Sequence, residues 1–229
     1  MTVKDPLHPD EITPEWITHA LSGGGYLKEG RAVSIEKELI GDSKGFLSSV
    51  VRTVIRYDRP ETTAPGSVIV KIEPEAGDLK DMGDQLHAFQ REILFYREVA
   101  PNIPIRLPEV YYSVDKPPAY SMVMEDLSAY TPGDQVEGMH RGQVLDTVTE
   151  IARMHARYWD NDALRALDWM PDTNNISDDY PEKWPSFVEH FGRHYLDDEE
   201  LALGEKLGGY VGWKMERIRE RPNTIVHSD

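Results

Sequence analysis

Alternating apolar and polar residues predict β-strands in the first half of the chain. Two segments alternate along their length and three are rich in β-branched or other apolar residues. The predicted strands are 33–40, 50–57, 67–73, 107–114 and 119–125. A helix precedes them, because Thr13 and Pro14 are suited to an N-cap and a first helical position, and three glycines follow at 23–25.

Apolar residues at spacings of three and four predict further helices. Leu86, Phe89, Ile93 and Tyr96 place one at Gln85–Val99, which Pro101 should end. Since the order is β-β-β-α-β-β, we expect a five-stranded antiparallel sheet that carries one helix.

The character of the chain changes after residue 127. A helix is predicted at Gln143–Trp159, and the remainder reads as helices with acidic loops at 172–182 and 197–200 and a short strand at 224–226. We therefore predict an α+β fold with two domains, a sheet domain at 1–127 and a partial, mainly helical one at 128–229.

The charge and composition exclude several classes of protein and binding partner. The 229 residues include 25 basic and 41 acidic ones, for a net charge of −16 and no basic block. This argues against binding to nucleic acid or an anionic membrane, and it is compatible with a cationic small molecule. There is no cysteine, no secretory signal and no apolar stretch of the ~18 residues that a membrane span needs, so we expect a cytoplasmic protein.

Lys71 is a charged residue inside the apolar strand SVIVKIE. One interpretation is a solvent-facing residue of a half-buried strand. The other is a lysine that binds phosphate, which needs a carboxylate from the next helix to hold its ammonium group. Glu92 is well placed for that role, and Glu98 is an alternative.

The segment Gly41–Ser49 joins the first two predicted strands. It is either a flexible hairpin connection or a backbone cradle for phosphate oxygens, in which Gly41 and Gly45 allow close approach and Ser48 and Ser49 add hydroxyl donors.

Two histidine-containing features are candidate chemical sites. His227-Ser228-Asp229 follows an apolar strand, where a kinase catalytic loop would begin, although three residues are also an ordinary turn. His155 lies on the apolar side of its helix without a second ligand at metal spacing, so we expect a structural histidine and predict no metal-binding residue.

Taken in order, these segments resemble the aminoglycoside phosphotransferase and choline kinase-like family of small-molecule kinases. The resemblance covers roughly residues 30 to 229 and is closest to the branch that includes ecdysteroid-kinase-like proteins. The segments are GDSKGFLSS, VIVKIE, REILFYRE, SMVMEDLSA, IARMHARYW and IVHSD. The resemblance implies a protein-kinase-like fold and an ATP-dependent transfer of phosphate to a hydroxyl group of a small molecule.

The resemblance also implies roles for individual residues. Gly41–Ser49 would cover the phosphates of ATP, Lys71 would contact the α- and β-phosphates, and Glu92 would pair with Lys71. The backbone carbonyl of Glu125 and the amide of Leu127 would bind the adenine edge.

Asp229 matches the catalytic aspartate of the family and is the last residue of the sequence. The family's Mg²⁺ ligands follow this aspartate, so they are missing here, and we expect the 229-residue chain alone to be inactive. The alternative function is a kinase-like nucleotide-binding module without catalysis. The identity of the substrate and the oligomeric state are not predicted.

Overall fold

The computed structural model describes most of the chain. The described residues are 3–40, 48–73, 80–81, 83–84, 87–117, 119–131, 133, 136–170 and 180–226. The chain forms two compact units, Met1–Glu150 and Ile151–Asp229. The predicted domain boundary after residue 127 stays a prediction.

The first unit contains a five-stranded antiparallel sheet with the order β1-β2-β3-β5-β4. The strands are β1 (Ala32–Leu39), β2 (Ser49–Tyr57), β3 (Ser67–Ile72), β4 (Val110–Lys116) and β5 (Ala119–Glu125). The five predicted strands are thus confirmed. The fourth begins at Val110 rather than residue 107, and Pro108, which has no N–H for a strand ladder, lies in the excluded part.

Helix α1 (Pro14–Gly23) covers one face of the sheet. It begins where the sequence predicts, with the Thr13 hydroxyl accepting a hydrogen bond from the Trp16 amide at 3.2 Å. Trp16, Ile17 and Leu21 are buried in a cluster that includes Val70 of β3 and Val123 of β5.

Helix α2 (Ala88–Leu94) covers the opposite face. Phe89 and Ile93 pack with Met122, and Met122 and Val123 are consecutive on β5, so they point to opposite faces. The sheet therefore carries a helix on each face. The expectation of a single helix was wrong, because local periodicity does not say where α1 docks.

The end of α2 differs from the prediction. It continues as a π-helical segment at Phe95–Val99 and a 3₁₀ turn at Ala100–Asn102. Helical structure therefore extends past Pro101 instead of ending before it. Pro101 lies early in the 3₁₀ turn, where a missing N–H is tolerated.

Helices dominate the described residues after 140. The prediction of a helix at 143–159 is confirmed by α3. The helices are α3 (Arg141–Tyr158), α4 (Asp162–Arg165), α5 (Tyr180–Phe187), α6 (Arg193–Tyr195), α7 (Asp198–Gly208) and α8 (Val211–Arg219), with a π-helical segment at Val188–Gly192 between α5 and α6. No helix among these residues or the earlier ones described is long and apolar enough to span a membrane.

The acidic run at 197–200 is not a loop, contrary to the prediction. The Asp197 side chain caps α7 and forms a capping box with Glu200. Carboxylates are favoured at this position because they compensate the positive end of the helix dipole.

The predicted strand at 224–226 was also wrong, since these residues have no regular secondary structure. Individual hydrogen bonds hold this segment instead. The Asn223 carbonyl accepts from the Asp160 amide at 2.7 Å, and the Thr224 hydroxyl donates to the His155 carbonyl at 3.4 Å. A strand needs a ladder with a second strand, and these contacts with residues 155 and 160 do not form one.

Candidate functional site

Lys71 lies on the α2 side of the sheet. Its neighbours Val70 and Ile72 point to the other face and are buried in the α1 cluster. In the strand ladder Lys71 is opposite Val50 of β2 and Met122 of β5. The ammonium group is therefore on the face that α2 covers, and the interpretation of Lys71 as a simple solvent-facing residue does not describe its position.

Glu92 of α2 reaches Lys71. Because Glu92 follows Phe89 by three residues, both side chains lie on the side of the helix that faces the sheet. The Lys71 Nζ is 2.6 Å from one carboxylate oxygen of Glu92 and 2.7 Å from the other. Glu98 is exposed, so of the two carboxylates that the sequence left open the structure places Glu92 at the lysine.

Both side chains of this pair are partly buried. The exposed fractions of the two side chains are 20% for Lys71 and 32% for Glu92. Tyr96 packs nearby, and burial together with the charge of Glu92 raises the pKa of Tyr96 to about 12. The phenol therefore stays neutral at physiological pH. Lys71 has three N–H donors, so a partly exposed ammonium that contacts Glu92 retains donor capacity for an anion.

The start of β2 lies next to Lys71, and the end of β1 lies one strand further away. The Ile40 amide donates to the Val50 carbonyl at 2.8 Å, and Val50 is the ladder partner of Lys71. Ser49 begins β2 opposite Ile72, and Ser48 directly precedes it. Residues 41–47, with Gly41 and Gly45, lie outside the described residues, so the cradle itself stays a prediction.

Glu125 is the last residue of β5, and its side chain binds Arg106 and the Glu109 amide rather than Lys71. Arg106 donates to one oxygen of Glu125 at 2.6 Å, and the Glu109 amide donates to the same oxygen at 3.1 Å. The hydrogen bond from Arg106 is the main cause that lowers the pKa of Glu125. Leu127 lies two residues beyond, and its carbonyl accepts from the Tyr130 amide at 2.8 Å.

Asp126, between these two residues, is a feature that sequence reasoning missed. Its carboxylate accepts hydrogen bonds from Arg52 Nε at 2.7 Å, from the Ser67 hydroxyl at 2.6 Å and from the Ser128 amide at 2.9 Å. Burial would raise the pKa of Asp126, but the hydrogen bonds outweigh this effect and hold the pKa well below its usual range. Two consecutive acidic residues, Glu125 and Asp126, directly after the run SMVM were the available signal.

The predicted catalytic residue, Asp229, lies outside the described residues, as do His227 and Ser228. In the part of the chain that is described, no group of three or more His, Asp or Glu side chains is arranged to hold a metal ion. Because Asp229 is not among the described residues, the geometry of the site does not include a distance between Asp229 and Lys71.

These features, a lysine–glutamate pair between a central strand and a helix of a five-stranded antiparallel sheet, are consistent with the N-terminal lobe of a kinase-like protein. The profile of the ecdysteroid kinase-like family matches residues 42–158, about half of the chain. The chain belongs to the ecdysteroid kinase-like family. The matched residues include both partners of the ion pair and the segment around Asp126.

Two curated proteins share shorter stretches with the chain. A tRNA (guanine-N(7)-)-methyltransferase of Agrobacterium fabrum is 37% identical over 89 residues, which cover 32% of this chain and 38% of that protein. A protein of the same name from Chelativorans sp. is 31% identical over 81 residues, covering 29% and 35%. The chain thus spans little more than a third of the length of these relatives. No solved structure matches the chain.

Proposed function

We propose that this chain provides the nucleotide-binding part of an ATP-dependent phosphotransferase that phosphorylates a hydroxyl group of a small molecule. The observation that supports it most is the contact of Lys71 with both carboxylate oxygens of Glu92, next to the start of β2. Family membership supports the same class of reaction. In this arrangement Lys71 binds the α- and β-phosphates, and residues 41–49 cover them.

The spacing of the site supports a nucleotide. Ser67, Ile69 and Lys71 alternate along one face of β3, and Ser67 contacts Asp126 at the end where the chain leaves β5. Lys71 lies four positions after Ser67 along the strand, which corresponds to about 13 Å. That length is comparable to a nucleotide from its base to its phosphates. The base would lie near Glu125 and Leu127, where the family places the adenine edge.

Catalysis itself depends on residues beyond those described. Asp229 would orient the substrate hydroxyl, as the family resemblance implies. The described residues contain no carboxylate cluster that fits the Mg²⁺ of the family, and the proposal includes no step that depends on metal ligands in this part of the chain. The substrate is a hydroxylated small molecule, and the negative net charge favours a cationic one. The absence of nucleic-acid and membrane partners and the cytoplasmic location remain predictions.

The test is the replacement Lys71→Ala in the full-length gene product, with ADP release measured over a panel of hydroxylated amines and sugars. We expect a loss of about 100-fold or more in turnover, because a preorganised charge on the phosphates is removed. Lys116→Ala is the matched control, since Lys116 ends β4 and is exposed. Unchanged turnover in Lys71→Ala would contradict the proposal. ATP binding without any phosphoryl transfer would identify a non-catalytic nucleotide-binding module instead.

A further inference from the structure

Arg52 and Asp126 connect the sheet to the segment that follows β5. Arg52 is opposite Ile69 in the β2–β3 ladder, and Ile69 is two residues from Lys71, so Arg52 and Lys71 are on the same face of the sheet. The exposed fraction of the side chain is 32% for Arg52 and 3% for Asp126. The carboxylate is thus almost fully buried at the edge of the face that carries Lys71.

The contacts of Asp126 use both of its oxygens. One oxygen accepts from Arg52 and Ser67, which belong to two different strands, and the other accepts from the Ser128 amide. Arg52 also donates to the Ser128 hydroxyl at 3.3 Å, and its guanidinium lies 3.8 Å from Glu38 of β1. This network therefore fixes the peptide segment 126–128 to β2 and β3.

The preceding residue is fixed from a different direction. Glu125 is held by Arg106 and by the Glu109 amide, on the side of β4. Two consecutive carboxylates, each with charged or amide donors, thus orient the peptide units on either side of them. Charge-assisted hydrogen bonds of this kind are stronger and geometrically more restrictive than neutral ones.

We propose that Asp126 is a positioning residue that, through Arg52 and Ser67, orients the Glu125–Leu127 backbone for recognition of the nucleotide base. This inference rests on the proposed function and adds to it a side-chain network that determines base selectivity. Asp126 does not touch the nucleotide. It holds the peptide that presents the Glu125 carbonyl and the Leu127 amide.

The experiment measures equilibrium binding of ATP, GTP and inorganic tripolyphosphate to the full-length protein and to its Asp126→Asn variant. Tripolyphosphate has no base, so it reports only on the Lys71 end of the site. We expect the Kd for ATP to rise about tenfold, the equivalent of one hydrogen bond, with an unchanged Kd for tripolyphosphate and a smaller preference between ATP and GTP. Ser67→Ala removes one donor and should change ATP binding in the same direction by less.

Arg56→Gln is the matched control, because Arg56 is on the same strand as Arg52 and its ion pair with Glu36 is exposed. The positioning role is overturned if ATP binding is unchanged in both Asp126→Asn and Ser67→Ala. It is also overturned if ATP and tripolyphosphate weaken equally, which would indicate a general structural role. A wild-type protein that binds tripolyphosphate but not ATP would contradict base recognition while leaving the Lys71 phosphate site. A wild-type protein that binds neither would contradict the proposed function as a whole.

Discussion

The sheet region, residues 3–125, and the helical region, residues 141–226, use their apolar side chains differently. In the part of the chain that the structure describes, the buried large apolar side chains lie between residues 12 and 124, with the exception of Tyr158. In the helical region many large apolar side chains are exposed, among them Val148, Tyr195 and Trp213.

This difference shows that an amphipathic sequence can form a helix without burying the apolar side of that helix. Apolar periodicity indicates helices in both regions. Among the described residues, the helices of the sheet region bury their apolar sides against the sheet, whereas those of the helical region leave many large apolar side chains exposed. Trp16 is 1% exposed and Trp213 is 62% exposed, although each belongs to a helix. Periodicity therefore indicates a helix, and a burial partner decides whether the helix contributes to a core.

The largest expected effect comes from this pair of tryptophans. Trp16→Ala should lower the free energy of unfolding by about 3–5 kcal/mol, because it leaves a cavity between α1 and the sheet. Trp213→Ala should change it by no more than about 0.5 kcal/mol, as is usual at an exposed position. Urea unfolding followed by circular dichroism measures both. Similar losses in the two variants would contradict the contrast between the regions.

The next effect concerns the buried carboxylate of Asp126, which directly follows the sheet region. Asp126→Asn should lower the free energy of unfolding by about 1–3 kcal/mol at pH 7, because Arg52 and the other donors lose a charged acceptor. The folded-state pKa of Asp126 is below its unfolded value, so the stabilisation is complete above the unfolded value and is lost as the pH falls through the folded one.

A pH series checks the sign of this effect. The difference between wild type and Asp126→Asn should be constant between about pH 7 and pH 5 and should shrink only below the usual aspartate pKa of about 3.9. A difference that disappears near neutral pH would show that the carboxylate is not held in its charged form.

A smaller effect tests the packing that does exist in the helical region. A side chain at Gly204 of α7 would overlap the indole ring of Trp184, which is stacked between Tyr180 and Phe187 of α5. Gly204→Ala should therefore destabilise the protein by about 1–2 kcal/mol through overpacking.

Gly212→Ala is the control for Gly204→Ala, since it lies in α8 with no atom within 4 Å of the added carbon. It should stabilise the helix by about 0.5 kcal/mol, because alanine has less conformational entropy to lose than glycine. Thermal unfolding of both variants measures the difference. Equal shifts of the same sign would show that α5 and α7 do not pack at Gly204.

The smallest effect should be equal in the two regions. Thr13→Ala removes the N-cap of α1, and Asp197→Ala removes the N-cap of α7. Each should cost about 1 kcal/mol, because a cap satisfies local amide groups whether or not the helix buries its apolar side. Urea unfolding of each variant measures this cost. A much larger loss for Thr13→Ala would indicate that the cap also positions α1 on the sheet.

Local signals in the sequence were sufficient for most of the secondary structure. The bounds of β5 agree with the prediction at both ends, and the Thr13 cap and the helix at 141–158 follow from residue type and spacing. The strand predicted at 224–226 was wrong because, among the described residues, its apolar residues have no neighbouring strand with which to pair. The acidic composition of residues 197–200 predicts a loop, whereas Asp197 and Glu200 form a capping box at the start of α7.

The candidate site was predictable only in part. Lys71 stands out as a charge in an apolar strand, and the position of Glu92 in the next helix made it a reasonable partner. Arg52 and Asp126 are 74 residues apart, and their pairing depends on the register between β2, β3 and β5. No local pattern contains that register, so the network at Asp126 could not be inferred from the residues alone.

By itself, the sequence determined where most of the helices and strands form and which charged residues interrupt them, because these properties depend on neighbours two to four positions away. The tertiary structure decided which face of the sheet each helix covers, that Glu92 rather than Glu98 meets Lys71, and that Asp126 is buried among donors. Those outcomes depend on strand order and register, which bring distant residues within hydrogen-bonding distance and remove their charges from water.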